Sequence, residues 1–163
     1  MKVIRQNWLT FNFLISVVAI SFALIAENIF NILPCKMCFN QRYPYYFIIL
    51  FFLLTIFYKK INYLSIIAIL EFVFLYGLFY SAWHFGVENK FIMPPEGCSN
   101  FIDFTKTNNE IKKQILNQTI SNCDEVNWKI LGVSAVLINL LLMTFLFIFN
   151  TILLIKAFND KKK

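Results

Sequence analysis

Apolar residues in this chain come in long blocks separated by short polar interruptions. Trp8–Ala26 is 19 residues without a formal charge, and Phe39–Tyr58 is a second block, broken near its start by Arg42 and Pro44. Tyr63–Val87 is a third, with Glu71 inside it and His84 near its end; Ile130–Ile155 is a fourth, 26 residues long and free of charges. A helix needs roughly 20 apolar residues to cross ~30 Å of hydrocarbon. The pattern therefore predicts an all-α integral membrane protein, a four-transmembrane-helix bundle forming one domain over 1–163, with spans near 8–26, 39–58, 63–87 and 130–155. Ser21-Phe22-Ala23 loosely resembles a signal cleavage site, but the first block is longer than a usual signal sequence core, so it is expected to remain as a span.

The stretch 88–129 breaks the pattern. It is polar and turn-rich, with Met93-Pro94-Pro95-Glu96-Gly97 near its start. Within it, Ile111, Ile115, Leu116 and Ile120 recur at helical spacing among polar residues. That predicts a short amphipathic helix over 110–121, lying on the membrane surface or against the loop itself. Asn117-Gln118-Thr119 matches the N-glycosylation pattern, which arises too often by chance to carry weight.

Composition agrees with the blocks. Of 163 residues, 59% are hydrophobic and 15% charged, against about 45–50% and about 25% in soluble domains. These figures exclude intrinsic disorder, collagen and a small disulfide-knit secreted module. The net charge of +6 becomes informative only by position. Segments 1–7, 59–62 and 156–163 hold eight basic residues against the single acid Asp160, whereas 27–42 plus 88–129 hold 7 basic and 7 acidic. By the positive-inside rule both termini are expected to be cytoplasmic. The basic balance is thus a topology signal, and no nucleic-acid partner is expected.

Four cysteines complete the picture. Cys35 and Cys38 form a C-x-x-C before the second block; Cys98 and Cys123 lie in the long loop. All four fall on the expected outer side, the side on which disulfides persist. Three readings compete. Two structural disulfides suit Cys98 and Cys123, since closing such a loop stabilises by ~3–4 kcal/mol on the chain-entropy estimate, but a C-x-x-C bridge closes too small a loop. A four-thiolate zinc site usually takes two closely spaced pairs, which the separation of Cys98 from Cys123 breaks. A relay of two dithiols exchanging electrons is the third. Cys38 stands at the entrance to a helix, whose positive end favours a thiolate, and Arg42 four residues on shares its face. Arg42 read alone is a charge snorkelling at the membrane edge.

Pro34-Cys35-Lys36-Met37-Cys38-Phe39-Asn40-Gln41-Arg42-Tyr43-Pro44-Tyr45 resembles the C-x-x-C, Gln-Arg and aromatic-proline segment of the DsbB family of membrane disulfide-bond formation proteins. Two further blocks resemble it in the same order: Trp83-His84-Phe85-Gly86-Val87-Glu88 leading to Cys98, and Cys123-Asp124-Glu125-Val126-Asn127-Trp128 leading into the last span. The resemblance covers essentially the whole chain. It implies a bacterial inner-membrane enzyme whose cysteine loops face the periplasm. A soluble thioredoxin-like (DsbA-like) thiol oxidase would be its partner, and a quinone from the membrane pool, ubiquinone or menaquinone, its electron acceptor. It further implies that the partner attacks a Cys98–Cys123 disulfide at Cys98, that Cys123 exchanges with Cys35, and that Cys38 faces the quinone. Arg42 would bind a quinone oxygen, and His84 would be a quinone neighbour.

The task fits these parts. A strongly oxidising soluble partner has a potential near about −120 mV, so its reoxidation needs an acceptor that removes electrons, and a quinone lives in the bilayer. One cysteine pair is expected to be mobile and exposed to meet the partner, the other fixed at the membrane edge. Quinone reductases of the vitamin K epoxide reductase type also combine a C-x-x-C with loop cysteines; Gln41-Arg42 and the block after Cys123 favour the first resemblance. A non-enzymatic membrane subunit with two structural disulfides is the rival from another class. Glu71, costly at depth in a membrane, is expected to be protonated or hydrogen-bonded within the bundle to a polar residue such as Asn139.

Overall fold

The computed structural model describes residues 2–58, 61–95, 98, 122–126, 128–130 and 132–162. The expected amphipathic helix over 110–121 and the Asn117 triplet lie outside the described residues. Among the described residues four long helices make up the architecture: α1 (Lys2–Asn28), α2 (Lys36–Phe57), α3 (Tyr63–Glu88) and α4 (Ala135–Lys162). Two short strands, β1 (Lys129–Ile130) and β2 (Val133–Ser134), precede α4. α3 packs most extensively on α4, α1 lies on α2, and α2 bridges to α3.

The expected start of the fourth span at 130 is corrected to Ala135. β1 and β2 instead pair as an antiparallel hairpin, with Lys129 opposite Ser134 and Ile130 opposite Val133. Gly132 turns it at φ +85°, a left-handed conformation that glycine adopts at no steric cost. Ser134 then starts the helix, its Oγ accepting the Leu137 N–H at 3.1 Å, as an N-cap hydroxyl does. Hydropathy cannot see this boundary, because Ile130 and Val133 are as apolar as the helix that follows.

α1 from Asn7, α3 and α4 are long and apolar enough to cross a membrane. α2 has the length, but its first turns carry Asn40, Gln41, Arg42 and Pro44, the residues that build the site described below. All four helices expose large apolar side chains, among them Leu14 and Phe22, Leu50 and Phe57, Phe72 and Phe79, and Phe145 and Ile152. So extensive an apolar surface is foreign to a soluble monomer and natural in lipid. The helical, lipid-compatible architecture is that of an all-α membrane protein.

Packing is close where α2, α3 and α4 meet. A Cβ on Gly77 would lie 2.7 Å from Met143 Sδ and 3.2 Å from Pro44 Cγ, so glycine lets the three helices approach. Around this point Tyr45, Ile48, Phe51, Ile66, Leu70, Phe74, Met143 and Leu146 form the buried core.

Two polar layers cross that core. In one, Tyr45 Oη donates to Asn139 Oδ1, and Asn139 Nδ2 donates to Ser81 Oγ at 2.8 Å. In the other, Trp8 Nε1 donates to Asn150 Oδ1 at 3.0 Å, and Asn150 Nδ2 donates to Glu71 Oε2 at 2.6 Å. Thr151 Oγ1 donates to the other Glu71 oxygen. Glu71 is therefore hydrogen-bonded within the bundle, but to Asn150 and Thr151 rather than Asn139. The cause is register: at 1.5 Å per residue, Asn139 and Asn150 stand about 16 Å apart along α4. Antiparallel α3 sets Ser81 at the level of Asn139 and Glu71 at that of Asn150.

Candidate functional site

The site forms where the start of α2 meets the end of α3. Cys35 is the N-cap of α2, its sulfur accepting the Cys38 N–H at 3.1 Å. This fixes the C-x-x-C on the first turn, with both sulfurs ahead of the apolar run that begins at Phe39. Cys98 and Cys123 form a disulfide with Cα atoms 5.2 Å apart, while Cys35 and Cys38 are free thiols. Cys35, Met37, Val87, Cys98 and Cys123 make one buried cluster, with Cys38 and Trp83 packed against it. All four cysteines thus come together.

The expectation of an exposed loop pair is corrected. Cys98 is 2% exposed and Cys123 fully buried. Their apolar disulfide belongs to the buried cluster with Val87 and Met37, and the Cys123 N–H donates to the Cys98 carbonyl at 2.9 Å.

The two thiols of the C-x-x-C are electrostatically unlike. The hydrogen bond from the Cys35 side chain holds the Cys38 thiol below its ordinary range, against the opposing effect of burial; backbone hydrogen bonding at Cys35 and the Arg42 charge act in the same direction. The same side-chain hydrogen bond, with burial, pushes the Cys35 thiol up. The thiolate is the nucleophile in sulfur chemistry, and of the two sulfurs Cys38 is the one whose surroundings favour that form. Lowering the pH titrates Cys38 only below the ordinary thiol range. In reduced protein at pH 7, iodoacetamide is expected to label Cys38 several-fold faster than Cys35, read by peptide mass spectrometry across a pH series. Equal rates with a common ordinary midpoint would contradict this assignment.

Arg42, Cys38 and His84 line one cavity of about 660 Å³. Its walls are apolar, from Leu14, Val18 and Phe22 on α1 and Ile138 and Leu142 on α4; its polar end carries Gln41 and Glu88 as well. Arg42 is held rather than dangling: its Nη1 donates to Glu27 Oε2 at 2.9 Å, and its guanidinium sits 5.1 Å over the Phe39 ring. His84 is buried, with Nε2 3.5 Å from Cys35 Sγ. Gln41 is buried too, and its Nε2 has no hydrogen-bond partner among the described residues.

Three residues of this end were not singled out from sequence. Glu27 is the acid that closes the first apolar block, and its isolation there was the available signal. Gln41 stood in the quoted motif beside Arg42 without a role. Glu88, which accepts from Ser134 Oγ at 2.8 Å and so ties α3 to the start of α4, gave no signal of its own.

A helical membrane protein presenting a dithiol, a neighbouring disulfide and an apolar cavity is the class this geometry defines. The family model described as "Disulfide bond formation protein DsbB" matches residues 5–153. An uncharacterized protein, RP370, of Rickettsia prowazekii (strain Madrid E) is 34% identical over 149 residues, covering 90% of this chain and 86% of the relative. No solved structure matches the chain. The chain belongs to the DsbB family, whose members are membrane oxidoreductases of disulfide-bond formation.

Proposed function

We propose that this protein reoxidises a soluble, periplasmic, DsbA-like thiol oxidase and passes the electrons to a membrane quinone. One observation carries the reading: the two thiols of the C-x-x-C face different neighbours. Cys35 lies within the buried cluster of Cys98 and Cys123 and off the cavity wall, whereas Cys38, at the edge of that cluster, also lines the cavity with Arg42.

The cavity suits a quinone. Its volume is in the range of small-molecule sites, its long apolar walls match an isoprenoid tail, and its polar end offers hydrogen-bond donors. The unpartnered Gln41 Nε2 and the guanidinium of Arg42 would hold ring oxygens, with His84 alongside. Bound there, ubiquinone or menaquinone supplies a two-electron acceptor.

The chain's own sulfurs do the rest. A partner thiolate attacks Cys98, the Cys98–Cys123 bond breaks, and Cys123 leaves as thiolate. The partner's second thiol then releases itself as a disulfide, leaving Cys98 and Cys123 reduced. Cys123 next attacks Cys35 of an oxidised Cys35–Cys38 pair, and Cys38 leaves as the thiolate its surroundings favour. Cys98 closes on Cys123, which restores the loop disulfide and leaves Cys35 and Cys38 as dithiol. That is the thiol state of the described residues. Because Cys98 is buried, the partner must displace part of its covering to reach it.

The topology proposed with this function has four spans, α2 included, both termini cytoplasmic and the 88–129 loop periplasmic, in the inner membrane of a bacterium. α2 lies between α1 and α3 and exposes Phe47, Leu50, Leu53 and Leu54 as a span would.

Purified protein with a short-chain quinone is expected to oxidise a reduced thioredoxin-like partner catalytically. Oxidation that proceeds equally without quinone, or none at all, would sink the reading. Arg42→Ala should raise the apparent quinone KM by about tenfold, the loss of one charge-assisted hydrogen bond of ~1.5 kcal/mol. An unchanged KM would leave Arg42 as a membrane-edge charge paired with Glu27.

A further inference from the structure

His84 has a feature that cysteine exchange does not use: a ring nitrogen aimed at a thiol. Cys35 Sγ, Cys38 Sγ and His84 Nε2 all lie within 4.8 Å of one another. In a tetrahedral zinc site, Zn–S of about 2.3 Å and Zn–N of about 2.0–2.1 Å place a sulfur and a nitrogen ligand roughly 3.6 Å apart, and two sulfurs roughly 3.8 Å apart. The Cys35 Sγ to His84 Nε2 distance of 3.5 Å is that edge. The widest separation in the trio needs to close by only about 1 Å.

The surroundings support coordination. Cys35 and His84 are buried, and Nε2 is the ring nitrogen that faces the Cys35 sulfur. Cys38 and His84 also border the cavity, so a water can complete a fourth position. The four-cysteine zinc site weighed from sequence differs from this one, since Cys98 and Cys123 are joined to each other.

We propose that the reduced Cys35–Cys38 pair and His84 form a redox-gated site for a thiophilic divalent cation of the zinc class. Binding forms two metal–thiolate bonds and one metal–imidazole bond and releases the Cys35 thiol proton, with any proton still held on Cys38, and with no change of oxidation state. Formation of the Cys35–Cys38 disulfide removes both thiolates and abolishes the site. An occupied site keeps Cys35 from exchanging with Cys123, so zinc arrests the relay in its reduced state. That consequence rests on the function proposed above; the binding itself does not.

The test uses zinc alone with the full chain in detergent. A Cys98→Ala/Cys123→Ala variant keeps only the two thiols in question. Once reduced and desalted, it is expected to retain one zinc per chain, and to lose it when diamide oxidises the pair. His84→Ala should weaken binding at least about tenfold. Cobalt in place of zinc should give a thiolate charge-transfer band in the near ultraviolet. No zinc above the oxidised control, or equal affinity in the His84→Ala variant, overturns the proposal. If the double variant does not fold, the parent chain with its loop disulfide intact serves instead. Zinc should then protect Cys35 and Cys38 from maleimide, and equal labelling with and without zinc overturns the proposal. These readouts need neither quinone nor partner, so failure of the relay and failure of the metal site are separately visible.

Discussion

Cys38→Ser is expected to bring quinone-dependent oxidation of a reduced thioredoxin-like partner to background, while Cys98→Ser blocks partner oxidation and leaves quinone binding intact. Without the Cys38 sulfur, Cys35 has no partner with which to form a disulfide, so no electrons can leave through the cavity. A serine hydroxyl cannot replace a thiolate at neutral pH. Cys98 does not line the cavity, so its loss should cut the relay at the other end. The measurement is quinone absorbance for turnover, and tryptophan quenching for binding. Full turnover by Cys38→Ser would make the proposed electron path wrong. Joint loss of turnover and quinone binding in Cys98→Ser would assign the loop disulfide a structural role. The geometry makes that a specific alternative, because Cys98 and Cys123 share a buried cluster with Cys35 while Glu125 and Trp128, close after Cys123, line the cavity.

Asn150→Leu is expected to destabilise the bundle by about 2 kcal/mol. Hydrogen bonds between membrane helices average about 0.6 kcal/mol and reach about 1.7. Asn150 makes one to Trp8, one to Glu71 and one to the Ile67 carbonyl. Its removal also leaves the Trp8 N–H and one carboxylate oxygen facing apolar surroundings, where an unsatisfied group costs about 1–3 kcal/mol. Glu71→Gln keeps an acceptor for one of its two donors and should cost under about 1 kcal/mol. Folded fraction in an SDS titration, or steric trapping, checks both. Parent-like stability of Asn150→Leu would show that this layer does not hold the helices in register.

The helices were legible in the chain because apolar run length is a local property. So was the C-x-x-C at a helix start, since Cys35, Cys38 and Arg42 lie within one or two turns. The misplacement of the last helix came from hairpin residues that are themselves apolar, with Gly132 and Ser134 as the only local hints. Assigning Asn139 to Glu71 failed for another reason: two asparagines on one helix cannot be told apart until the neighbouring helix has a register. The expected exposure of the loop disulfide rested on its polar surroundings in sequence, and could not anticipate that it would join a buried cluster with Val87 and Met37.

From sequence alone came a helical membrane chain, an expected orientation drawn from its lysines and arginines, and two cysteine pairs expected on one side. These follow from hydrophobicity, charge position and short spacings, all of which are written along the backbone. Tertiary structure alone decided that Glu27 holds Arg42, that Cys35 and Cys38 face different neighbours, and that His84 points a nitrogen at Cys35. Each of these depends on how far one helix has slid and turned against another. A slide of one turn, about 5.4 Å, would break all of them and leave the hydropathy pattern unchanged.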